Sequence, residues 1–202
     1  MSLHGKPTLR YILSHYVPDS ALDYCVQLLE SKPVGFKVSR ARQTKWGDYR
    51  FGPAVMPRIT VNANLSKEAF LLTLLHEFAH HMVQVEHGRK ALPHGQEWKS
   101  AFAEITIPLF ETDAFGPELL VILRRHMKNP RATATADPKL YAYFQYGSHP
   151  PGEAIKDLKP GDTFVYRGVR YSKGHVVRTR IKCLNTENNR WYLFHPTVRV
   201  EQ

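Results

Sequence analysis

The stretch LLTLLHEFAHHMVQVEHGRKALPHGQEW, residues 71–98, sets five histidines and three glutamates in or just after a strongly apolar run. Phe70, Leu71, Leu72, Leu74, Leu75, Phe78, Ala79, Met82, Val83 and Val85 cover most sides of a helical wheel, so the segment reads as a largely buried helix. Ser66 is placed to cap it, Glu68 in the first turn complements the helix dipole, and the pattern carries to about Val85. Ionisable groups inside such a helix are costly unless something satisfies them.

His76-Glu77-Phe78-Ala79-His80 is an HExxH motif. Residues four apart stand one turn above each other on a helix, so His76 and His80 can share one Zn2+. Glu77 lies about 100° round the helix from His76. Its carboxylate therefore reaches beside the pair, where it can take a proton from a zinc-acidified water and deliver it to a leaving amine. A further ligand must come from elsewhere. The metzincin pattern is excluded, because Val83 and Glu86 stand where it needs Gly and His. Glu97 and Glu104 on the next helix are geometrically conceivable; His94, flanked by Pro93 and Gly95 at a helix entrance, is the stronger candidate. His81 points about 100° away from His80 and reads as a solvent-side or packing residue. His87 suits the helix end as a dipole partner, and Trp98 and Phe102 read as core.

Outward from this helix, Leu9–Tyr16 and Leu22–Leu29 read as two short helices separated at Pro18. Val34–Ser39, Asp48–Phe51 and Arg58–Asn62 read as a small sheet, with turn signals at Gly47 and Gly52-Pro53. Downstream, Trp98, Ala101, Phe102 and Ile105 form the inward stripe of a helix that Pro108 ends, and Pro117 opens another, closed by Asn129-Pro130. Residues 131–160 read as a linker, within which LYAYFQYG is taken as an extended segment packing aromatics on the main body. From Gly161 the pattern changes to short β runs, Thr163–Tyr166, His175–Cys183 and Trp191–Phe194, with a turn at Glu187-Asn188-Asn189. The expected organisation is a first domain over 1–130, a linker over 131–160 and a small basic β module over 161–202, too small to stand alone without docking.

The 202 residues carry a net charge of +10, which suits an anionic partner such as nucleic acid. Residues 161–202 hold eight basic and three acidic groups, and Arg170, Arg178, Arg180 and Lys182 are the candidate nucleic-acid contacts. Arg178 and Arg180, two apart on the expected strand, would project from one face near aromatic rings, an arrangement suited to single-stranded nucleic acid. The polar residues His4, Lys6, Arg10, His15 and Asp19 break any apolar secretion signal, and no apolar run reaches a membrane span. Cys25 and Cys183 are far apart with no CxxC pair. The expected setting is cytoplasmic, nucleoid-associated in a bacterium, with no membrane partner; oligomeric state is not legible.

The combination of His76-Glu77-x-x-His80, thirteen intervening residues and HGQEW at 94–98 resembles the SprT-like zinc metalloprotease family of Spartan/SprT type, whose members include a DNA–protein crosslink protease. RARQTKWGDYRF followed by RITVNANL is similar to that family's basic strand pair and its Asn-marked entry to the metal helix. Over residues 8–128 the resemblance implies a compact α+β zincin-like fold of helices on a small sheet, with one zinc ion on His76, His80 and His94 and Glu77 as catalytic base. It implies a peptidase whose substrates are proteins bound or crosslinked to DNA, single-stranded or distorted. It also implies a C-terminal zinc ribbon, from which this chain departs, since Cys183 is its only cysteine there. The rival reading is a non-catalytic DNA-binding protein whose zinc is structural.

Overall fold

A computed structural model describes residues 7–42, 45–52, 55–133, 136–146 and 152–200. The expected turn at Gly52-Pro53, parts of the RARQTKWGDYRF stretch (43–44) and parts of the linker (134–135, 147–151) lie outside these residues. Two compact units divide the chain, residues 1–134 and 135–202.

In the first unit the Thr8 hydroxyl accepts the Tyr11 amide and starts α1 (Leu9–Ser14), and α2 (Leu22–Ser31) follows a short 3-10 turn. Their inward residues Leu13, Val17, Ala21, Cys25 and Leu29 are buried, each large aliphatic side chain contributing about 1.5–3 kcal/mol. Three strands follow: β1 (Gly35–Ser39), β2 (Gly47–Gly52) and β3 (Val55–Asn62), in the order β1-β3-β2. β3 is central, parallel to β1 (Gly35 opposite Arg58) and antiparallel to β2 (Gly47 opposite Val61), so β2 is a free edge. Asn62 at the end of β3 is 1% exposed and fully engaged. Its amide nitrogen donates to the carbonyls of Arg42 and Lys45 (3.1 and 2.8 Å), and its oxygen accepts from Arg42 Nε (2.7 Å) and Ser39 Oγ (3.2 Å). One buried side chain thus fixes the connection leading into β2.

The apolar helix α3 (Lys67–His87) starts where Ser66 Oγ accepts the Ala69 amide and stops at Gly88, whose φ of +60° ends the helical path. It packs on β2 and β3 and along α4 (Gln96–Thr106), and Tyr24 Oη ties α2 to α4 by donating to the Ile105 carbonyl (2.8 Å). α5 (Pro117–His126) completes the unit with Leu119 and Leu123 buried. The architecture is α+β. No described helix is long and apolar enough to cross a membrane.

The second unit holds α6 (Pro138–Tyr146), the paired short strands β4 (Glu153–Ala154) and β9 (Arg199–Val200), and an antiparallel sheet. That sheet runs β5 (Thr163–Tyr166), β6 (Val169–Val177), β7 (Arg180–Asn185), β8 (Trp191–Phe194) in sequence order. Ile155, Leu158, Phe164, Tyr171, Ile181, Cys183, Phe194 and Val200 form its core. Two expectations are corrected here. LYAYFQYG does not run extended: residues through Tyr146 continue a helix that Asp137 caps by accepting the Lys139 amide (3.0 Å), with Pro138 at its first position. The expected single strand His175–Cys183 is two strands, because Arg178 takes a φ of +55° and Val177 pairs with Arg180 across a tight turn.

Candidate metal centre

α3 presents His76 and His80 one turn apart, as the spacing requires. His94 reaches them from the loop before α4, where its own backbone stands at φ +57°. A left-handed conformation in a residue with a side chain costs about 1–3 kcal/mol and persists where the surroundings impose it. A turn does so here: the Gly95 amide donates to the Leu92 carbonyl (2.9 Å), and a Cβ on Gly95 would sit 3.0 Å from that same oxygen. The result is convergence of three nitrogens. His94 Nε2 lies 2.9 Å from His80 Nε2 and 3.3 Å from His76 Nε2. Among the described residues these three form the one group of at least three metal-ligating side chains that could hold an ion. Glu97 and Glu104 are exposed on α4 and do not join it.

The donor set fits zinc. Bonds of 2.0–2.1 Å in tetrahedral geometry separate neighbouring nitrogens by about 3.3 Å. The rings are also in the required protonation state, since burial lowers the pKa of His76 well below its usual value, with His80 and His94 adding to the effect. Burial, with help from His94, pushes His80 down to about 4, and burial lowers His94 as well. Neutral imidazoles leave lone pairs free for a cation. Trp98, wholly buried, floors the cluster: its ring centroid is 4.7 Å from that of His76 and 4.8 Å from that of His94. It stacks on Phe102 (5.0 Å) and its Nε1 donates to the His76 carbonyl (3.4 Å), so the core residue expected from the stripe also fixes ring positions.

Glu77 is 9% exposed and sits on the β2 side of α3. Burial, and after it the charge of Asp48, push its pKa up to about 8 against the opposing pull of Arg42, Lys45 and the Tyr49 backbone amide. Burial raises the Asp48 pKa too, but hydrogen bonds from Lys45 Nζ (2.6 Å) and Arg50 Nε (2.5 Å) prevail and lower it. The strand approaches the helix closely because residue 47 has no side chain. A Cβ there would lie 2.6 Å from both Glu77 Oε1 and Thr73 Cγ2, and Thr73 is held by its own hydroxyl donating to the Ala69 carbonyl (2.7 Å). Sequence reading took Gly47 for a turn signal and missed this role, since nothing in WGDY marks a close approach.

Of the two roles expected for His81, packing is the one the structure shows: it is 1% exposed, with Nδ1 3.1 Å from Tyr49 Oη. It is not among the three side chains whose nitrogens converge. His87 is the last residue of α3, as its dipole role requires. In the second unit, Arg170 and Lys182 stand on the outer face of the sheet by strand alternation, opposite in sense to the buried Tyr171 and Cys183. Lys182 Nζ lies 4.9 Å from the Trp191 ring centroid, a cation–π contact. Arg178 is in the β6–β7 turn and does not share a strand face with Arg180, contrary to the alternation argument. Cys183 is buried in the unit's core, and both cysteines are free thiols.

Residues 19–114, which include Gly47, Glu77 and the three converging histidines, match the model of the SprT-like family. No curated protein and no solved structure gives a significant match.

Proposed function

We propose that this chain, SprT-like over residues 19–114, is a zinc-dependent metallopeptidase acting on proteins bound or crosslinked to DNA. One observation carries the peptidase reading: a buried carboxylate, Glu77, stands beside three neutral imidazoles that converge on a single point. A purely structural metal site gains nothing from that carboxylate, which burial disfavours in its charged form. His76, His80 and His94 would hold the ion, and zinc, when bound, acts as a Lewis acid that polarises a carbonyl and makes water acidic near neutral pH. Glu77 accepts the proton of the attacking water and passes it to the amine nitrogen that leaves. Gly47 and the Tyr49 amide hold that carboxylate from the β2 side. Trp98 and Phe102 keep the imidazole rings in place and bar water from beneath them.

The DNA part of the proposal rests on the basic residues of the second unit, among them Arg170, Arg178, Arg180 and Lys182, which supply phosphate attraction. Glu77→Gln in the zinc-loaded chain tests the peptidase reading. Zinc is expected to stay at one per chain while cleavage of a DNA-bound protein disappears. Undiminished cleavage, or none by the unmodified chain with DNA present, contradicts it.

A further inference from the structure

The four-stranded sheet of the second unit ends on β8, which has β7 on one side and no strand on the other. The Asn185 amide donates to the Arg190 carbonyl (2.8 Å), and the register continues Leu184 to Trp191, Cys183 to Tyr192 and Lys182 to Leu193. Bonded and non-bonded pairs alternate along an antiparallel ladder. Arg190, Tyr192 and Phe194 therefore turn their main chain toward β7, while the N–H and C=O of Trp191 and Leu193 point outward. Among the described residues none pairs with them.

Sheet edges are ordinarily blunted by charge, proline or a bulge. β8 reads Trp-Tyr-Leu-Phe, with none of these, and Trp191, Tyr192 and Leu193 are 49%, 40% and 60% exposed. Such an edge is a template for another strand. Beside it a cavity of about 640 Å3 opens between α6 and the sheet, with Tyr192, Leu193 and Phe194 on one wall and Pro138 and Tyr141 on the other. Successive side chains of an added strand would point to opposite faces, one set toward this cavity and the other toward the outer face of the sheet.

Charge selects the occupant. Lys182 Nζ lies against the Trp191 ring, Arg190 immediately precedes the strand, and Arg180 lines the cavity. None of the three has an acidic partner among the described residues. A second copy docked edge to edge would bring these cations against their own counterparts, which disfavours it. A nucleic acid satisfies the cations but has no repeating N–H and C=O groups to pair with Trp191 and Leu193. An acidic polypeptide in extended form meets both demands.

We propose that the β8 edge accepts an extended, acidic segment of a partner protein as an added strand, with an apolar side chain in the cavity and carboxylates at Lys182, Arg180 and Arg190. This goes beyond the peptidase reading and depends on neither metal nor cleavage. Because Arg180 and Lys182 are shared, such a partner would compete with nucleic acid.

The test measures binding of the full chain to a short labelled peptide of alternating aspartate and valine. Two further forms are N-methylated on alternate amides, one in each register. The form that presents its methyl groups to β8 is expected to bind roughly 30-fold more weakly, the loss of two main-chain hydrogen bonds, and the form that presents them to solvent to bind like the parent. Lysine in place of aspartate should abolish binding. Leu193→Pro removes an outward N–H at an edge, where a sheet tolerates proline, and should weaken the parent peptide with the circular dichroism spectrum unchanged. Lys182→Glu should weaken it too. Equal affinity of the two methylated forms, or no binding of the parent at low salt, overturns the assignment. A dimer of the full chain that Leu193→Pro splits also overturns it, by putting a second copy on the edge.

Discussion

The ionisable groups at the centre of α3 and the arginines of the β6–β7 hairpin obey opposite rules. At the centre of α3, Glu77 is buried and His76 and His80 are half-buried, burial lowers the pKa of the two histidines and raises that of Glu77, and each is held by neighbours from a different element. On the sheet, Arg170, Arg178 and Arg180 face solvent. A buried group must be satisfied by a specific partner, so its position is tightly determined; an exposed one acts through field and counterions, which tolerate displacement. Substitutions in the first set should therefore act in steps of orders of magnitude, and those in the second by gradual change.

The sharpest break of this contrast is Glu77→Gln, expected to lower kcat for peptide cleavage by about 10²–10⁴-fold, the usual weight of a general base, with zinc stoichiometry unchanged by metal analysis. Next is His94→Ala, which leaves two imidazoles for the ion. Zinc affinity by competition with a chelator should fall by more than the roughly 10- to 100-fold that loss of an outer-shell partner costs. Gly47→Ala comes third. The added methyl collides with Glu77 and Thr73, and a displacement near 1 Å should reduce kcat about 10²-fold with KM and zinc content close to unchanged. A fall in zinc binding instead would make Gly47 a general packing residue.

Titration separates the two sets further. In the metal-free chain the Glu77 pKa is about 8 against an ordinary 4.5, so the folded state binds the extra proton, and this group's contribution to stability is lost as pH rises from 4.5 toward 8. His80, at about 4 against 6.5, has the opposite sign: its contribution is lost as pH falls from 6.5 toward 4. Chemical denaturation of metal-free wild type and Glu77→Gln should give curves that diverge progressively between pH 4.5 and 8, the variant being more stable at the alkaline end. Parallel curves would place Glu77 in water. The smallest effect belongs to the sheet: Lys182→Ala should reduce the salt slope of single-strand binding by about 0.7, with no step in affinity.

The same contrast explains what could be read from the chain in advance. The metal centre was legible because its residues obey helical spacing and because Pro93 and Gly95 frame His94 at a helix entrance. The α+β arrangement followed from the period of the apolar residues and from caps such as Ser66. The close passage of β2 over Glu77 was not legible, since an absent side chain at position 47 leaves no pattern. In the second unit, alternation alone placed Arg178 and Arg180 on one face, but the tight turn at Arg178-Thr179 carries neither the Gly nor the Asn that announces such hairpins. Helix α6 was hidden by its aromatic content, although Asp137-Pro138 held the start signal.

The left-handed backbone at residue 94 also sets which exchanges the centre can accept. Beyond glycine, that conformation is tolerated best by Asn, Asp and His, so main chain and donor atom are chosen together at this position. Glycine would relax the loop and delete the ligand, while a β-branched residue would strain it. Aspartate keeps the fold of the loop and exchanges the neutral nitrogen donor for an anionic oxygen, which makes His94→Asp the natural route for redesigning the site toward harder metals that favour oxygen.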